Sequence, residues 1–64
     1  MSTQTITLSV ELTHEQAQAL ALFCKRAGFM EFSHNASSEP EAYAMRDAQM
    51  AVGASLAKAG YNPR

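Results

Sequence analysis

An eight-residue stretch near the start of the chain, TITLSVEL (residues 5–12), alternates strictly between polar and apolar side chains. A period of two with β-branched residues is typical of a β-strand that has one buried face. We therefore predict a strand over about residues 4–12. Its apolar face consists of four residues, Ile6, Leu8, Val10 and Leu12.

The rest of the sequence offers this strand no convincing second strand. Backbone N–H and C=O groups are rarely left without hydrogen-bond partners, so an isolated strand has to pair with something. A chain of 64 residues is also small, and such a domain buries only about 60% of its unfolded surface. We therefore predict that the strand pairs with that of a second copy, with the four apolar residues as the interface of a homodimer.

A first helix is predicted over about residues 14–27. Thr13 and Gln16 have the spacing of a capping box, in which two side chains bond the free N–H groups at a helix start. Apolar residues then recur at intervals of three and four, which is typical of a helix with one buried face. That face is predicted to contain Leu20, Phe23, Cys24 and Ala27.

A second, longer helix is predicted over about residues 39–59. Ser38 and Glu41 repeat the capping-box spacing, and Pro40 suits a first turn, where no N–H is needed. Its predicted apolar face contains Ala42, Met45, Val52 and Leu56, widened by Tyr43, Met50 and Ala54.

Each predicted helix ends in Ala and is followed by Gly and an aromatic residue, as AGF (27–29) and AGY (59–61). Glycine is favoured at the left-handed position that ends a helix, and the apolar residue after it packs on the last turn. Phosphate loops, by contrast, place glycine before a helix. We therefore predict that Gly28 and Gly60 both terminate helices and that neither belongs to a ligand loop.

Together these elements predict one domain of the α+β class. Its order is β-α-α, with one N-terminal strand, two helices, a loop over residues 28–38 and a tail over residues 60–64. The strand is completed by a second chain in the homodimer.

No residue pattern is typical of an enzyme or a metal site. His14, Cys24 and His34 lie ten residues apart and lack the paired spacing of zinc ligands. Cys24 belongs to the predicted apolar face, and no base is placed beside it to activate a thiolate. We therefore predict no catalysis, no metal, no cofactor and no small-molecule substrate.

Compartment and membrane contact follow from equally simple signals. No segment resembles a signal peptide, and no apolar run is long enough to cross a bilayer. The single cysteine excludes a disulfide within one chain. We expect a cytoplasmic protein that does not contact a membrane.

The stretch TITLSVELTHEQAQALALFCKRAGF (residues 5–29) resembles the strand and first helix of the ribbon–helix–helix superfamily, which includes the Arc, MetJ and CopG repressors. In that superfamily, paired strands of a dimer enter the major groove of DNA. The resemblance spans residues 1–29 and implies a dimeric regulator that binds double-stranded DNA. The outward strand residues it implies as DNA contacts are Thr5, Thr7 and Ser9. Lys25 and Arg26, at the end of the first predicted helix, are the further candidates for contact with phosphate.

A second resemblance covers the whole chain. The segments EAYAMRDA (41–48) and AGYNPR (59–64) are similar to a family of short bacterial proteins often encoded on plasmids and phages, which implies an accessory role in a mobile element. The net charge is −1, and the outward strand face carries no Lys or Arg to neutralise phosphate. Beside DNA binding, a second interpretation therefore stays open, an accessory protein that binds and inhibits a host protein.

Overall fold

A computed structural model describes residues 4–63. In this range the chain forms three α-helices, α1 (His14–Arg26), α2 (Phe29–Asn35) and α3 (Glu39–Lys58). Residues 4–12, which we call the N-terminal arm, precede α1 without regular secondary structure. The described part of the chain is therefore all-α.

The predicted α+β class and its β-α-α order are wrong, because residues 4–63 contain no β-strand. The arm has the alternating sequence of a strand, but a strand exists only where a neighbour supplies ladder hydrogen bonds. No segment between residues 4 and 63 forms such a ladder with it. The strand-paired homodimer that was predicted from this segment loses its basis with the strand.

The start of α1 matches its prediction. The Gln16 N–H donates to Thr13 Oγ1 at 3.1 Å, and the Thr13 N–H donates to Gln16 Oε1 at 2.9 Å. Both bonds of the capping box are thus present and satisfy N–H groups that would lack partners at the helix start. The helix ends at Arg26, one residue before its predicted end.

The buried face of α1 differs in part from its prediction. Ala17, Ala21 and Cys24 are buried, whereas Phe23, predicted on the apolar face, is 56% exposed. The packed face is thus the one with the smallest side chains, and it lets the neighbouring helix approach closely. Phe23 lies to one side of this contact.

The predicted loop over residues 28–38 contains α2. Gly28 has a φ of −113° and forms the N-cap of this helix, and its N–H donates to the Glu31 carboxylate. The prediction of a left-handed helix-terminating glycine at Gly28 is therefore wrong. The chain leaves α1 through an extended Ala27 and enters another helix at once.

The start of α3 agrees with its prediction. The Glu41 N–H donates to Ser38 Oγ at 3.3 Å, and Pro40 lies in the first turn. Of the face predicted for this helix, Ala42 and Leu56 are buried, while Val52 is 41% exposed. Val52 therefore lies at the margin of the contact between helices.

The end of α3 confirms the prediction for Gly60. This residue has a φ of +103°, in the left-handed region. The Gly60 N–H donates to the Ala57 carbonyl at 3.0 Å, and the Tyr61 N–H donates to the Leu56 carbonyl at 2.8 Å. These are the two hydrogen bonds of the Schellman motif, which satisfies the last carbonyls of a helix.

The core is thin and lies along α3, which packs against both α1 and α2. Phe32 of α2 and Ala42 of α3 are buried, and Ala42 is only 1% exposed. Between α1 and α3 a cluster of small and medium side chains is buried, with two partly buried neighbours packed on it. The cluster is Ala17, Ala21, Cys24 and Leu56, and its neighbours are Leu20 and Tyr61.

One polar contact ties α1 to α3. The Gln49 side-chain amide on α3 donates to the backbone carbonyl of Cys24, which lies in the last turn of α1. Carbonyls in a last turn have no partner within their own helix. Gln49 therefore caps the end of α1 from a neighbouring helix.

Candidate interaction surface

The N-terminal arm lies beside a groove between α1 and α3. This groove, which we call the arm groove, has a volume of about 500 Å³. It is lined on the arm side by Ile6, Leu8, Val10 and Leu12, and on the helix side by Leu20, Ala51, Val52, Ser55 and Leu56.

The helix wall of the groove follows from helical spacing. Residues 51, 52, 55 and 56 lie on one face of α3, since positions three and four apart are neighbours on a helix surface. Leu20 completes the wall from α1. Leu56 is buried and forms the floor of the groove, while Val52 is 41% exposed at its rim.

The arm side of the groove is open to solvent. Ile6, Leu8 and Val10 are 81%, 74% and 69% exposed, and Leu12, next to the start of α1, is 41% exposed. Their alternation places them at one groove, as the sequence pattern indicated. A contiguous exposed apolar surface of this kind marks a site of interaction with another molecule.

The arm groove is electrically neutral. Among the described residues that line it, none is charged, and Glu11 is the one charged residue in the sequence of the arm. Attraction to this surface therefore comes from burial of apolar area, which has no directional requirement. Charge does not select the partner here.

The residues predicted to contact DNA lie in two elements. Thr5, Thr7 and Ser9 are exposed in the arm, between the residues that line the groove. Lys25 and Arg26 are exposed in the last turn of α1. Lys25 lines a different depression, together with Gln49 and Met50 of α3 and the segment after it.

The four residues predicted as a dimer interface are brought together at one groove. The wall that faces them was predicted only in part. Leu20, Val52 and Leu56 were predicted on the apolar faces of helices, not as the lining of a groove. Ala51 and Ser55 carried no prediction. Their position next to Val52 and Leu56 on one face of α3 is the signal that could have identified them.

A second depression, of about 410 Å³, lies between the start of α1 and the segment after α3. His14 and Tyr61 both line it, and their side chains are hydrogen-bonded to each other.

Within residues 4–63, no three His, Cys, Asp or Glu side chains are grouped so that they could hold a metal ion. In the same range, no helix combines the length and apolar character needed to cross a membrane.

Comparison with known proteins identifies the family. No curated protein and no solved structure matches the chain. A family model matches it from residue 1 to residue 64, and the chain therefore belongs to a family of unknown function, DUF7706.

Proposed function

We propose that this chain is a non-enzymatic protein-binding module and that the arm and the arm groove form its contact surface. The observation that carries this proposal is the exposure of Ile6, Leu8 and Val10, at 81%, 74% and 69%, beside an open apolar groove.

Burial of the apolar arm residues would stabilise a complex. Full burial of one aliphatic side chain contributes about 1.5–3 kcal/mol. The arm presents four such side chains to one groove, and a partner that covers them gains from each. In the single chain these side chains are exposed to solvent, so this free energy of burial is available to binding.

The chemistry of the surface supports a protein as the partner. Apolar cores surrounded by polar residues are typical of protein interfaces, whereas DNA binding depends on Lys and Arg that neutralise phosphates. The arm carries neither Lys nor Arg. DNA binding by this protein stays a prediction from the sequence. The paired strands on which that prediction depended are not present in residues 4–63.

Site-specific photocrosslinking tests the proposal in the cell. A photoreactive phenylalanine analogue replaces Leu8 in one variant and Thr7 in the other. Both positions are exposed in the arm, but only residue 8 lines the groove. Illumination should give a discrete protein adduct from position 8 and a much weaker one from position 7.

The matched position makes this experiment decisive. Adducts of equal yield from both positions would mean that the arm collides with proteins without a specific face. No adduct from position 8 would mean that the surface meets no protein. Either result would remove the proposed function.

A further inference from the structure

We infer that the partner at the arm groove is a second copy of this chain. Two copies pair about a two-fold axis, and the apolar arm residues of each, Ile6, Leu8 and Val10, fill the arm groove of the other. The contact is made by side chains and needs no pairing of strands. This inference rests on the proposed protein-binding function and names its partner.

The exposed area of the chain is larger than that of a typical monomer of its mass. A folded monomer of 6.9 kDa has about 4,000 Å² of accessible surface by the scaling of area with mass. This chain exposes 5533 Å². The excess of about 1,500 Å² is nearly twice the ~800 Å² that one partner loses in a standard protein interface. The chain thus carries more surface than a dimer contact needs.

One chain holds both halves of the contact, the arm and the groove. A two-fold interface brings the same patch of each copy together, so the patch has to complement itself. Here the projecting arm and the open groove are adjacent in one chain. When two copies exchange arms, each groove receives an arm, and no surface is left over to extend the assembly into a filament.

Charge repulsion does not oppose self-association at the arm groove. A self-associating patch brings every charge near its symmetry-related copy, and like charges that face each other weaken an interface. Among described residues, those that line the arm groove are uncharged. The surface can therefore meet its own copy without repulsion, and it lacks the charge pattern that would steer a different partner.

The junction between arm and helix permits the exchange. The capping box of Thr13 and Gln16 closes the start of α1 without any residue of the arm. Thr13 itself has an extended backbone, with φ −68° and ψ 163°. The arm can thus change direction before Thr13 while α1 keeps its cap. Exchange of a terminal element at such a junction is a low-cost route to a dimer.

Sedimentation equilibrium of the purified 64-residue chain tests whether the partner is a second copy. We expect a monomer–dimer equilibrium in the wild type. Leu8→Asp should raise the dimer dissociation constant by about 100-fold or more, since each of the two copies then places a charge in the apolar centre of the interface. Thr7→Asp adds the same charge to the same arm away from the groove and should change the constant less than about threefold. Circular dichroism checks that both variants keep their helices.

Mixing of two defective variants tests the exchange of arms. Leu8→Asp damages the arm, and Val52→Asp damages the groove. In an equimolar mixture, the intact arm of one variant meets the intact groove of the other, so heterodimers should form where neither variant dimerises alone. Met50→Asp, at an exposed position of α3 that does not line this groove, should dimerise like the wild type. No gain on mixing would overturn the exchange.

The inference and the proposed function fail separately. A wild-type chain that stays monomeric at millimolar concentration would overturn the second copy as partner. If position 8 then still crosslinks in cells to a different protein, the protein-binding function stands with another partner. If position 8 crosslinks to nothing, both are overturned.

Discussion

The phenol oxygen of Tyr61 lies 2.7 Å from Nδ1 of His14, and the two groups share a hydrogen bond. Their rings are tilted against each other with centroids 5.3 Å apart. The contact joins the first turn of α1 to the segment after α3, across 47 residues of sequence. Tyr61 also packs on the cluster between the two helices, so it closes that end of the helix pair.

The Tyr61 hydroxyl should make a measurable contribution to stability. Tyr61→Phe keeps the ring on the cluster and removes the hydrogen bond to His14, and we expect a loss of about 0.5–1 kcal/mol in the free energy of unfolding. Urea denaturation at one fixed protein concentration measures this loss. Tyr43→Phe makes the same change at a ring that packs on Phe29 and should cost less. Equal losses at both positions would contradict a specific role for the contact with His14.

The two glycines that follow α1 and α3 should respond differently to alanine. Gly60 has a φ of +103° and no atom within 4 Å of an added Cβ, so Gly60→Ala should cost about 1–2 kcal/mol through backbone strain alone. Gly28 has a φ of −113°, which any residue adopts, and an added Cβ lies 3.5 Å from Glu31 Oε1. Gly28→Ala should cost less than half as much. Equal costs in chemical denaturation would mean that both glycines end a helix in the same way.

Gly53, in the middle of α3, should tolerate alanine and gain stability from it. A Cβ added at this position lies 3.6 Å from Cys24 Cβ, which is an ordinary van der Waals distance. Alanine is favoured over glycine inside a helix by about 1 kcal/mol. Gly53→Ala should therefore raise the midpoint of thermal unfolding, and Gly53→Leu, which overfills the same contact, should lower it. A destabilised alanine variant would show that α1 and α3 approach more closely than described.

The cap that Gln49 places on the end of α1 should also be measurable. Gln49→Ala removes the donor to the Cys24 carbonyl, and we expect a loss of about 1 kcal/mol. Gln49→Glu should cost more, since it turns a carboxylate toward that carbonyl. Gln18→Ala, the same truncation at an exposed position of α1, serves as the control in urea denaturation. A Gln49→Ala variant as stable as this control would show that water replaces the cap.

Local signals predicted the starts of α1 and α3 and the end of α3. The capping residues Thr13, Gln16 and Ser38 act through hydrogen bonds to backbone groups three residues away. The left-handed Gly60 likewise depends on the turn before it. Such features are encoded within a few residues, so the sequence alone was enough to place them.

The conformation of the arm and the presence of α2 were not predicted from local sequence patterns. Alternation predicted which arm residues face the same way, and they do line one groove. It could not supply the second strand that a sheet requires. The residues of α2 were predicted to be part of a loop because Gly28 was assigned to the end of the first helix and residues 33–38 are polar turn residues. Glu31, three residues after Gly28, is the sequence signal for the start of α2, since its carboxylate accepts from the Gly28 N–H.

Isotope-filtered NMR of a mixed sample detects whether the arm of one copy lies in the groove of another. One half of the chains is labelled with ¹³C and the other half is unlabelled, so that only contacts between copies give filtered cross-peaks. We predict cross-peaks between the methyl groups of Leu8 in one copy and those of Val52 and Leu56 in the other. A sample in which these methyl groups show contacts only within one chain would contradict the account.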